Sequence, residues 1–310
     1  MRPFLANVVR GRRISPERLE EVAHHYQLFG GVSPLTALTN AQATGLSERL
    51  RAGGLELPVY VGMRNWHPFL AETVTQMSRA GIRRVIGFIA APHRSYSSCT
   101  QYRENVRDAS TVLRQSGLAD IEVTYVDDWY LHPGFIEASV ARVLAALEDV
   151  PADLRPGTEV AFTAHSIPSS MAVRYPYQRQ YEATASAIAD RARRITGLAL
   201  PHSAVYQSRS GRPEDPWLGP DIADHLRQRR AEGVETAIVY PAGFLCDHIE
   251  VLYDLDTEAA AISQEIGLRM VRAGTVNDHP AFLGMMADVV LETVQRYSPG
   301  RPLPLAMQSA

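Results

Sequence analysis

Short apolar runs that alternate with long amphipathic stretches constrain the fold of this 310-residue chain more than any other feature. Two of these runs, VIGFIAA at residues 85–91 and AIVYPAG at residues 237–243, contain no charged residue. Strands that are covered on both faces have this composition, because neither set of alternating side chains meets water. Runs of this kind, separated by helical patterns, predict an α/β fold with parallel sheets flanked by helices.

The same patterns place the individual elements. Strands are predicted at residues 58–62, 84–90, 121–126, 159–164, 203–207, 236–240 and 268–271. Helices are predicted at residues 2–10, 16–29, 68–80, 101–116, 133–147, 178–196, 220–231, 248–266 and 280–297. Residues 148–157 carry two prolines and a glycine between the two sets of elements, so we predict an N-terminal half at residues 1–149 and a C-terminal half at residues 150–310.

Composition and charge exclude several classes of function. The chain has 31 Lys and Arg against 34 Asp and Glu and no basic run that could follow a phosphate backbone, so we expect no nucleic-acid partner. Cys99 and Cys246 are too few for a four-cysteine metal site or a disulfide framework. No stretch approaches about 18 uncharged apolar residues, and the basic N-terminus lacks the apolar core of a secretory signal. We therefore expect a cytoplasmic protein without a membrane span.

Three single residues are candidates for a site. One of them, His165, lies where a predicted strand ends, and ligands of open parallel sheets bind outside the carboxyl ends of the strands. His165 ends an apolar strand and precedes Ser-Ile-Pro, which cannot continue directly into a helix. A neutral imidazole there could bind a metal ion or accept a proton, although a histidine in this place also caps strand ends through a backbone hydrogen bond. Ser33 and Tyr102 offer hydroxyl groups, whose alternative roles are a helix cap and a core aromatic side chain.

Three acidic residues, Glu250, Asp254 and Glu258, recur at every fourth position and form an acidic column on one face of a predicted helix. Three like charges destabilise a bare helix unless a cation compensates them. Carboxylates favour hard or borderline divalent metals, so the column is a candidate metal site. The alternatives are a lysine or arginine from elsewhere in the chain, or exposure to water. Asp247 and His248, directly after the preceding strand, are predicted to cap the helix.

Several short motifs are spread over nearly the whole chain. They are FGGVSPL at residues 29–35, APH at 91–93, the serine-rich run that ends in QY at 101–102, TAHSIP at 163–168, DPWLGP at 215–220, GF at 243–244 and DHIEVLYDLD at 247–256. In identity and order they resemble the motifs of the ferrochelatase family, enzymes that insert ferrous iron into a porphyrin during haem biosynthesis. A resemblance on this scale is not a chance match.

The resemblance implies two Rossmann-like halves, each with a four-stranded parallel sheet, and a porphyrin cleft between them. It also implies that a last helix, at about residues 280–297, crosses back onto the first half. His165 corresponds to the histidine that faces the porphyrin nitrogens, and Glu250 to the acidic iron ligand beside or opposite it. Asp254 and Glu258 continue the acidic column on a helix with a π-type segment, where a second divalent ion sits on the way in.

The resemblance further implies the substrates. Ser33 and Tyr102 correspond to positions that line the porphyrin near its propionates. The compact AHSIP form of the histidine motif and the Ala- and Arg-rich composition resemble actinobacterial members, which convert coproporphyrin III and Fe²⁺ into iron coproporphyrin III (coprohaem). We expect these substrates, a monomer and no [2Fe–2S] cluster. The alternatives are a protoporphyrin IX ferrochelatase, a chelatase for another tetrapyrrole and metal, and a non-catalytic porphyrin or haem carrier.

The front of the chain departs from the family pattern. The resemblance implies an opening strand and a Gly-rich turn before the helix at residues 2–10, and the sequence contains no such strand. The first half is therefore expected to lack one strand, together with a distal porphyrin contact that is a tyrosine in some members. We expect that Met1 replaces an internal valine whose GTG codon can also initiate translation.

Overall fold

A computed structural model describes residues 2–8, 16–210 and 214–297 and has the predicted alternation of strands and helices. The strands are β1 (Arg84–Gly87), β2 (Glu122–Tyr125), β3 (Glu159–His165), β4 (His202–Gln207), β5 (Thr236–Tyr240) and β6 (Arg269–Arg272). The α-helices are α1 (Arg2–Val8), α2 (Pro16–Leu28), α3 (Leu35–Ala52), α4 (Leu70–Arg79), α5 (Gln101–Gln115), α6 (Pro133–Glu148), α7 (Ser169–Ala172), α8 (Tyr177–Thr196), α9 (Ile222–Ala231), α10 (Ile249–Val251), α11 (Ala260–Glu265) and α12 (Pro280–Arg296). Tyr96–Thr100 and Leu252–Ala259 are π-helical, and Arg155–Gly157 is a 3₁₀ turn.

Residues 9 and 10 of the first predicted helix lie outside the described residues. The helix α3 is not predicted by the sequence patterns, whereas the other long helices correspond to predicted ones within a few residues at each end. Within the described ranges, no helix is both long enough and apolar enough to cross a membrane.

The C-terminal sheet has the order β4-β3-β5-β6, and every pair of strands is parallel, as predicted. The chain leaves the carboxyl end of β3 toward β4 and leaves the carboxyl end of β5 toward β6, on the opposite side. Connections that diverge in this way open a crevice between the two strand ends, which is where doubly wound sheets bind ligands. Because β3 ends at His165, the topology alone places this residue at the crevice.

The two faces of this sheet pack against different helices. The face that contains Phe162 is covered by α6 and α8. The face that contains Ala161 is covered by α9 and by the helical segment that runs from α10 to α11. Side chains alternate along a strand, so Thr163 and His165 point toward this second face and toward the segment that carries Glu250.

In the N-terminal half, β1 and β2 form a parallel two-stranded sheet, and the strand predicted at residues 58–62 is wrong. The Val61 carbonyl accepts a 2.8 Å hydrogen bond from the Thr73 hydroxyl, and Met63 bridges to Phe69. A strand needs backbone hydrogen bonds to a neighbour about 4.8 Å away. Here a wide cleft is lined both by this segment and by β1, so the apolar sequence lacks the partner that would make it a strand.

The last helix, α12, packs against α3 and α6, which belong to the predicted N-terminal half. Leu46 and Leu50 of α3 share one apolar cluster with Leu283 and Met286 of α12. The two helices approach closely at Gly45, where a Cβ atom would lie 2.4 Å from the Leu283 Cδ1 and would force that side chain to shift. Since α6 also covers the C-terminal sheet, it connects the two sets of elements, and the division after residue 149 stays a prediction.

Candidate active site

The loop between β5 and α10 lies directly on β3, and this contact brings the far end of the loop to the crevice. The Gly243 N–H donates to the Thr163 carbonyl over 3.0 Å. A Cβ atom at Gly243 would lie 2.6 Å from the Ala164 Cβ, so a larger residue would force the loop away from the strand. The loop then enters the helical segment at Ile249, and Glu250 faces the end of β3.

His165 and Glu250 form the centre of the site. The His165 Nε2 lies 3.3 Å from the Glu250 Oε1, and the two side chains are 39% and 45% exposed. The His165 Nδ1 contacts the Ser166 carbonyl, which can only accept a hydrogen bond, so in the neutral ring Nδ1 carries the proton and Nε2 presents a lone pair. His165 therefore makes the backbone hydrogen bond that was considered as its alternative role, and its Nε2 faces Glu250 at the same time.

Two acceptors that face each other at this distance repel unless a proton or a cation lies between them. The pair can therefore bind a metal ion through one nitrogen and one oxygen, or accept a proton on the His165 Nε2. In the part of the chain that the structure describes, no group of three or more His, Cys, Asp or Glu side chains is placed to hold a metal. Two protein ligands leave most of the coordination sphere of a metal ion open, which suits an ion that is transferred to another molecule rather than retained by the protein.

The acidic column lies on the segment predicted as one helix, which the structure divides into α10, the π-helical segment and α11. An α-helix turns about 40° too far over four residues to keep a column straight, and the wider π turn reduces this drift. Asp254 accepts hydrogen bonds from the Gln207 Nε2, at 3.1 Å, and from the Ser208 hydroxyl. Glu258 is exposed and lines the same cleft as Glu250.

The two inner carboxyls of the column have opposite pKa shifts. Burial raises the pKa of Asp254 to about 7, and the charge of Glu250 adds to this shift, while hydrogen bonds from Ser208 and Gln207 oppose it. Burial also acts to raise the pKa of Glu250, but the positive charges that His165 and His248 carry in their protonated forms outweigh it and hold that pKa below its ordinary value. At neutral pH, Glu250 is therefore the charged member of the two and Asp254 is partly protonated.

The prediction that Asp247 and His248 cap the helix is wrong. His248 occupies the cap position, but its side chain makes no capping hydrogen bond. Asp247 instead accepts hydrogen bonds from the Arg272 Nη1 at 2.8 Å, the Thr275 N–H at 3.2 Å and the Asn277 Nδ2 at 2.7 Å. A guanidinium and two further donors compensate the carboxylate better than one helix N–H, so Asp247 ties the loop to the chain after β6.

Ser33 and Tyr102 line the same cleft, whose volume is about 3700 Å³. Ligand pockets usually measure about 300–1,000 Å³, so this cleft has room for a large macrocycle. The Ser33 hydroxyl accepts a 3.3 Å hydrogen bond from the Leu35 N–H, but Pro34 occupies the N-cap position of α3 and no side chain caps this helix, so Ser33 does not have the alternative role of a helix cap. The Tyr102 ring lies 5.0 Å from the guanidinium carbon of Arg64 and is half-buried, which excludes the alternative role of a core side chain.

Sequence reasoning misses several side chains of this cleft. On α2, the His25 ring stacks on the Tyr253 ring, with centroids 3.4 Å apart and 12° between the planes. Burial, and then the charge of Glu250, raise the pKa of the adjacent Tyr26 to about 12. Gln207 ends β4, so the rule that singles out residues at strand ends applies to it. The helix α2 does not follow a strand, so this rule gives no reason to select His25 or Tyr26 as site residues.

The solved structures that resemble this chain identify its fold. The sirohydrochlorin chelatase SirB from Bacillus subtilis subspecies spizizenii, in complex with cobalt, matches with a TM-score of 0.52 and 13% sequence identity. The match covers 83% of this chain and 89% of that one. At this identity the likeness concerns the fold alone, and the fold is that of a chelatase.

Sequence comparisons narrow the class. The family profile described as Ferrochelatase matches residues 1–294. The coproporphyrin III ferrochelatase of Streptomyces coelicolor is 45% identical over 300 residues, which are 94% of this chain and 80% of that protein. The coproporphyrin III ferrochelatase of Frankia alni is 44% identical over 306 residues, 97% of this chain and 78% of that protein. The chain therefore belongs to the ferrochelatase family, as the motifs indicate, and is a metal chelatase.

His93, in the APH motif after β1, is a buried histidine close to this site. It is 2% exposed, and its Nε2 lies 3.1 Å from the Thr184 Oγ1. The Thr184 hydroxyl donates to the Tyr130 carbonyl, so Nε2 is the donor to Oγ1. Burial lowers the pKa of His93 to about 3, and the ring is therefore neutral in the folded protein at physiological pH.

We expect acid to destabilise the protein through His93. Between about pH 6.5 and about pH 3 the unfolded chain binds a proton on this side chain and the folded chain does not, so the free energy of unfolding falls as the pH falls. Each pH unit costs about 1.4 kcal/mol, or about 2 kcal/mol by about pH 5. Urea unfolding at several pH values between about 7 and 5 should show that His93→Gln lacks this part of the pH dependence. Parallel slopes for the two proteins would contradict it.

Proposed function

We propose that this protein inserts Fe²⁺ into coproporphyrin III and forms iron coproporphyrin III in haem biosynthesis. The observation that carries the proposal is the His165–Glu250 pair, two facing acceptors on the wall of a cleft large enough for a tetrapyrrole. Family membership supplies the class of reaction. The names of the relatives from Streptomyces coelicolor and Frankia alni supply the porphyrin.

The proposed reaction replaces the two inner N–H protons of the porphyrin with one Fe²⁺ ion. The His165 Nε2 accepts a pyrrole proton, since its Nδ1 is already engaged with the Ser166 carbonyl. Glu250 binds the ion and displaces part of its water. Asp254 and Glu258 form the route between solvent and the centre, along which the ion enters and protons leave.

A planar porphyrin presents its nitrogens poorly to an ion that approaches from one side. In this proposal the cleft holds the ring bent, and contacts at the periphery of the ring provide the free energy for that strain. Ser33 and Tyr102 contact the ring edge near the propionates. Arg64, above the Tyr102 ring, supplies a positive charge on the same wall.

The test is an anaerobic assay of porphyrin fluorescence, which is lost when Fe²⁺ is inserted, with coproporphyrin III and protoporphyrin IX measured in parallel. We expect kcat/KM to be about tenfold or more higher for coproporphyrin III, because hydrogen bonds to its two additional carboxylates contribute about 1.5–3 kcal/mol each. Absorbance spectra of the product separate insertion from quenching.

The same assay decides between the alternatives. A preference for protoporphyrin IX would reassign the porphyrin, and faster insertion of Co²⁺ than of Fe²⁺ would reassign the metal. Porphyrin binding without any loss of fluorescence that depends on the metal would identify a carrier. The cytoplasmic location, the monomeric state and the absence of an iron–sulfur cluster stay predictions.

A further inference from the structure

Gln207 connects β4 to the acidic column, and its amide is held from the opposite side by Thr163. The Gln207 Oε1 accepts a 2.6 Å hydrogen bond from the Thr163 hydroxyl, and the Gln207 Nε2 donates to the Asp254 Oδ2 at 3.1 Å. Thr163 is fully buried, and Gln207 is 1% exposed. One series of hydrogen bonds therefore runs from the middle of β3 to Asp254.

The Thr163 hydroxyl and the Asp254 carboxylate together set the orientation of the Gln207 amide. If the amide turned by half a rotation, its oxygen would face the Asp254 carboxylate, which also accepts, and its nitrogen would face the Thr163 hydroxyl. The buried Thr163 proton would then lose its acceptor, and a buried donor without a partner is costly. Thr163 thus favours the orientation in which Gln207 donates to Asp254.

Ser208, the next residue, brings a second donor to the same oxygen. Its backbone has φ +60°, in the left-handed region that residues other than glycine adopt at a cost. Its hydroxyl donates to the Asp254 Oδ2. Within the described ranges, both of these hydrogen bonds to Asp254 end on Oδ2, which leaves Oδ1 as the oxygen for a cation.

We propose that Thr163 and Gln207 are positioning residues that hold Asp254 with one carboxylate oxygen directed to the entering metal ion. This inference rests on the proposed function, in which Asp254 belongs to the entry route of Fe²⁺. The Thr163 side chain is not part of the cleft wall, and its hydroxyl acts through Gln207. Loss of the Thr163 hydroxyl therefore raises the KM for Fe²⁺ and leaves the affinity for the porphyrin unchanged.

The matched pair of variants is Thr163→Val, which keeps the shape and removes the hydroxyl, and Thr163→Ser, which keeps the hydroxyl. Because one hydrogen bond contributes about 0.5–1.5 kcal/mol, Thr163→Val should raise the KM for Fe²⁺ by about three- to tenfold. The Kd for coproporphyrin III, measured by fluorescence titration, should stay within about twofold, and Thr163→Ser should restore the KM. Gln207→Met, measured alongside, should likewise raise the KM for Fe²⁺ and leave the Kd for coproporphyrin III nearly unchanged. Because two variants are measured, the test does not depend on the folding of either one alone.

A double-mutant cycle separates positioning from a general loss of structure. Residues that act through a common partner are not additive, so Thr163→Val should have no further effect on the KM for Fe²⁺ when Asp254 is already alanine. Additive effects, or an unchanged KM in folded Thr163→Val and Gln207→Met, would overturn the positioning role and leave the proposed function standing. A wild-type protein that binds porphyrin but inserts no Fe²⁺ would overturn the proposed function and this inference with it.

Discussion

Replacing His165 with alanine should lower the rate of Fe²⁺ insertion by about three orders of magnitude, within the range expected when a general base is lost. The variant loses the Nε2 lone pair that faces the Glu250 Oε1 at 3.3 Å, and with it the proposed proton acceptor. Because the side chain is 39% exposed, its removal takes little from the apolar core, and the fold should persist. Coproporphyrin III should still bind, since its affinity comes from the ring and the propionates rather than from this nitrogen.

Initial rates of fluorescence loss with saturating Fe²⁺ measure the effect, and a porphyrin titration without metal measures binding. The matched control is His202→Ala, at the amino end of β4, at the opposite end of the sheet from the site. The control should insert iron at the wild-type rate. An equal loss in both variants would point to a structural effect, and an unchanged rate in His165→Ala would remove His165 from the mechanism.

His165 belongs to the part of the site that the sequence predicts, because parallel sheets bind ligands at the carboxyl ends of their strands; Gln207 has the same kind of position, at the end of β4, but is not among the predicted residues. An apolar run that ends in a polar residue marks such a position without knowledge of any other segment. The acidic column is equally visible, since Glu250, Asp254 and Glu258 recur at one spacing within a single helical pattern. Both patterns involve residues that are close together in the chain, so a single sequence is enough to detect them.

The secondary-structure predictions that fail concern elements whose structure depends on residues far away in the chain. Residues 58–62 have the composition of a strand, but pairing requires a neighbour, and a cleft lies beside them. The helix α3 has few buried side chains and a glycine, Gly45, in its interior, so its apolar pattern is weak. Its contact with Leu283 of α12 helps to hold it, and that contact cannot be read from α3 alone.

The same limit applies to side-chain partners. The hydrogen bonds of Asp247 reach Arg272 and Asn277, which lie 25 and 30 residues further along the chain. A helix cap is the local expectation for an aspartate before a helix, and tertiary donors override it. The stack of His25 on Tyr253 likewise joins α2 to the π-helical segment, and neither residue lies in a pattern that predicts the other.

Glu250→Gln should lower kcat/KM for Fe²⁺ by about two orders of magnitude or more, through both a higher KM for Fe²⁺ and a lower kcat. The substitution keeps the shape of the side chain and removes the negative charge that binds the ion. It also replaces one of the two facing acceptors with an amide, whose N–H can donate to the His165 Nε2. This nitrogen lies 3.3 Å from the Glu250 Oε1 in the wild-type protein, which is close enough for such a hydrogen bond. The variant would therefore lose an iron ligand and occupy the proton acceptor at the same time.

Kinetics at varied Fe²⁺ and fixed coproporphyrin III give the two parameters, with Glu265→Gln at the exposed end of α11 as the control of equal charge change. Glu250→Ala separates the two causes, because it removes the carboxylate without offering a donor to His165. If the occupied acceptor contributes, the alanine variant should insert iron faster than the glutamine variant at high Fe²⁺. If both variants kept wild-type kinetics, a charged oxygen beside His165 would not be needed, and the pair would lose its place at the centre of the reaction.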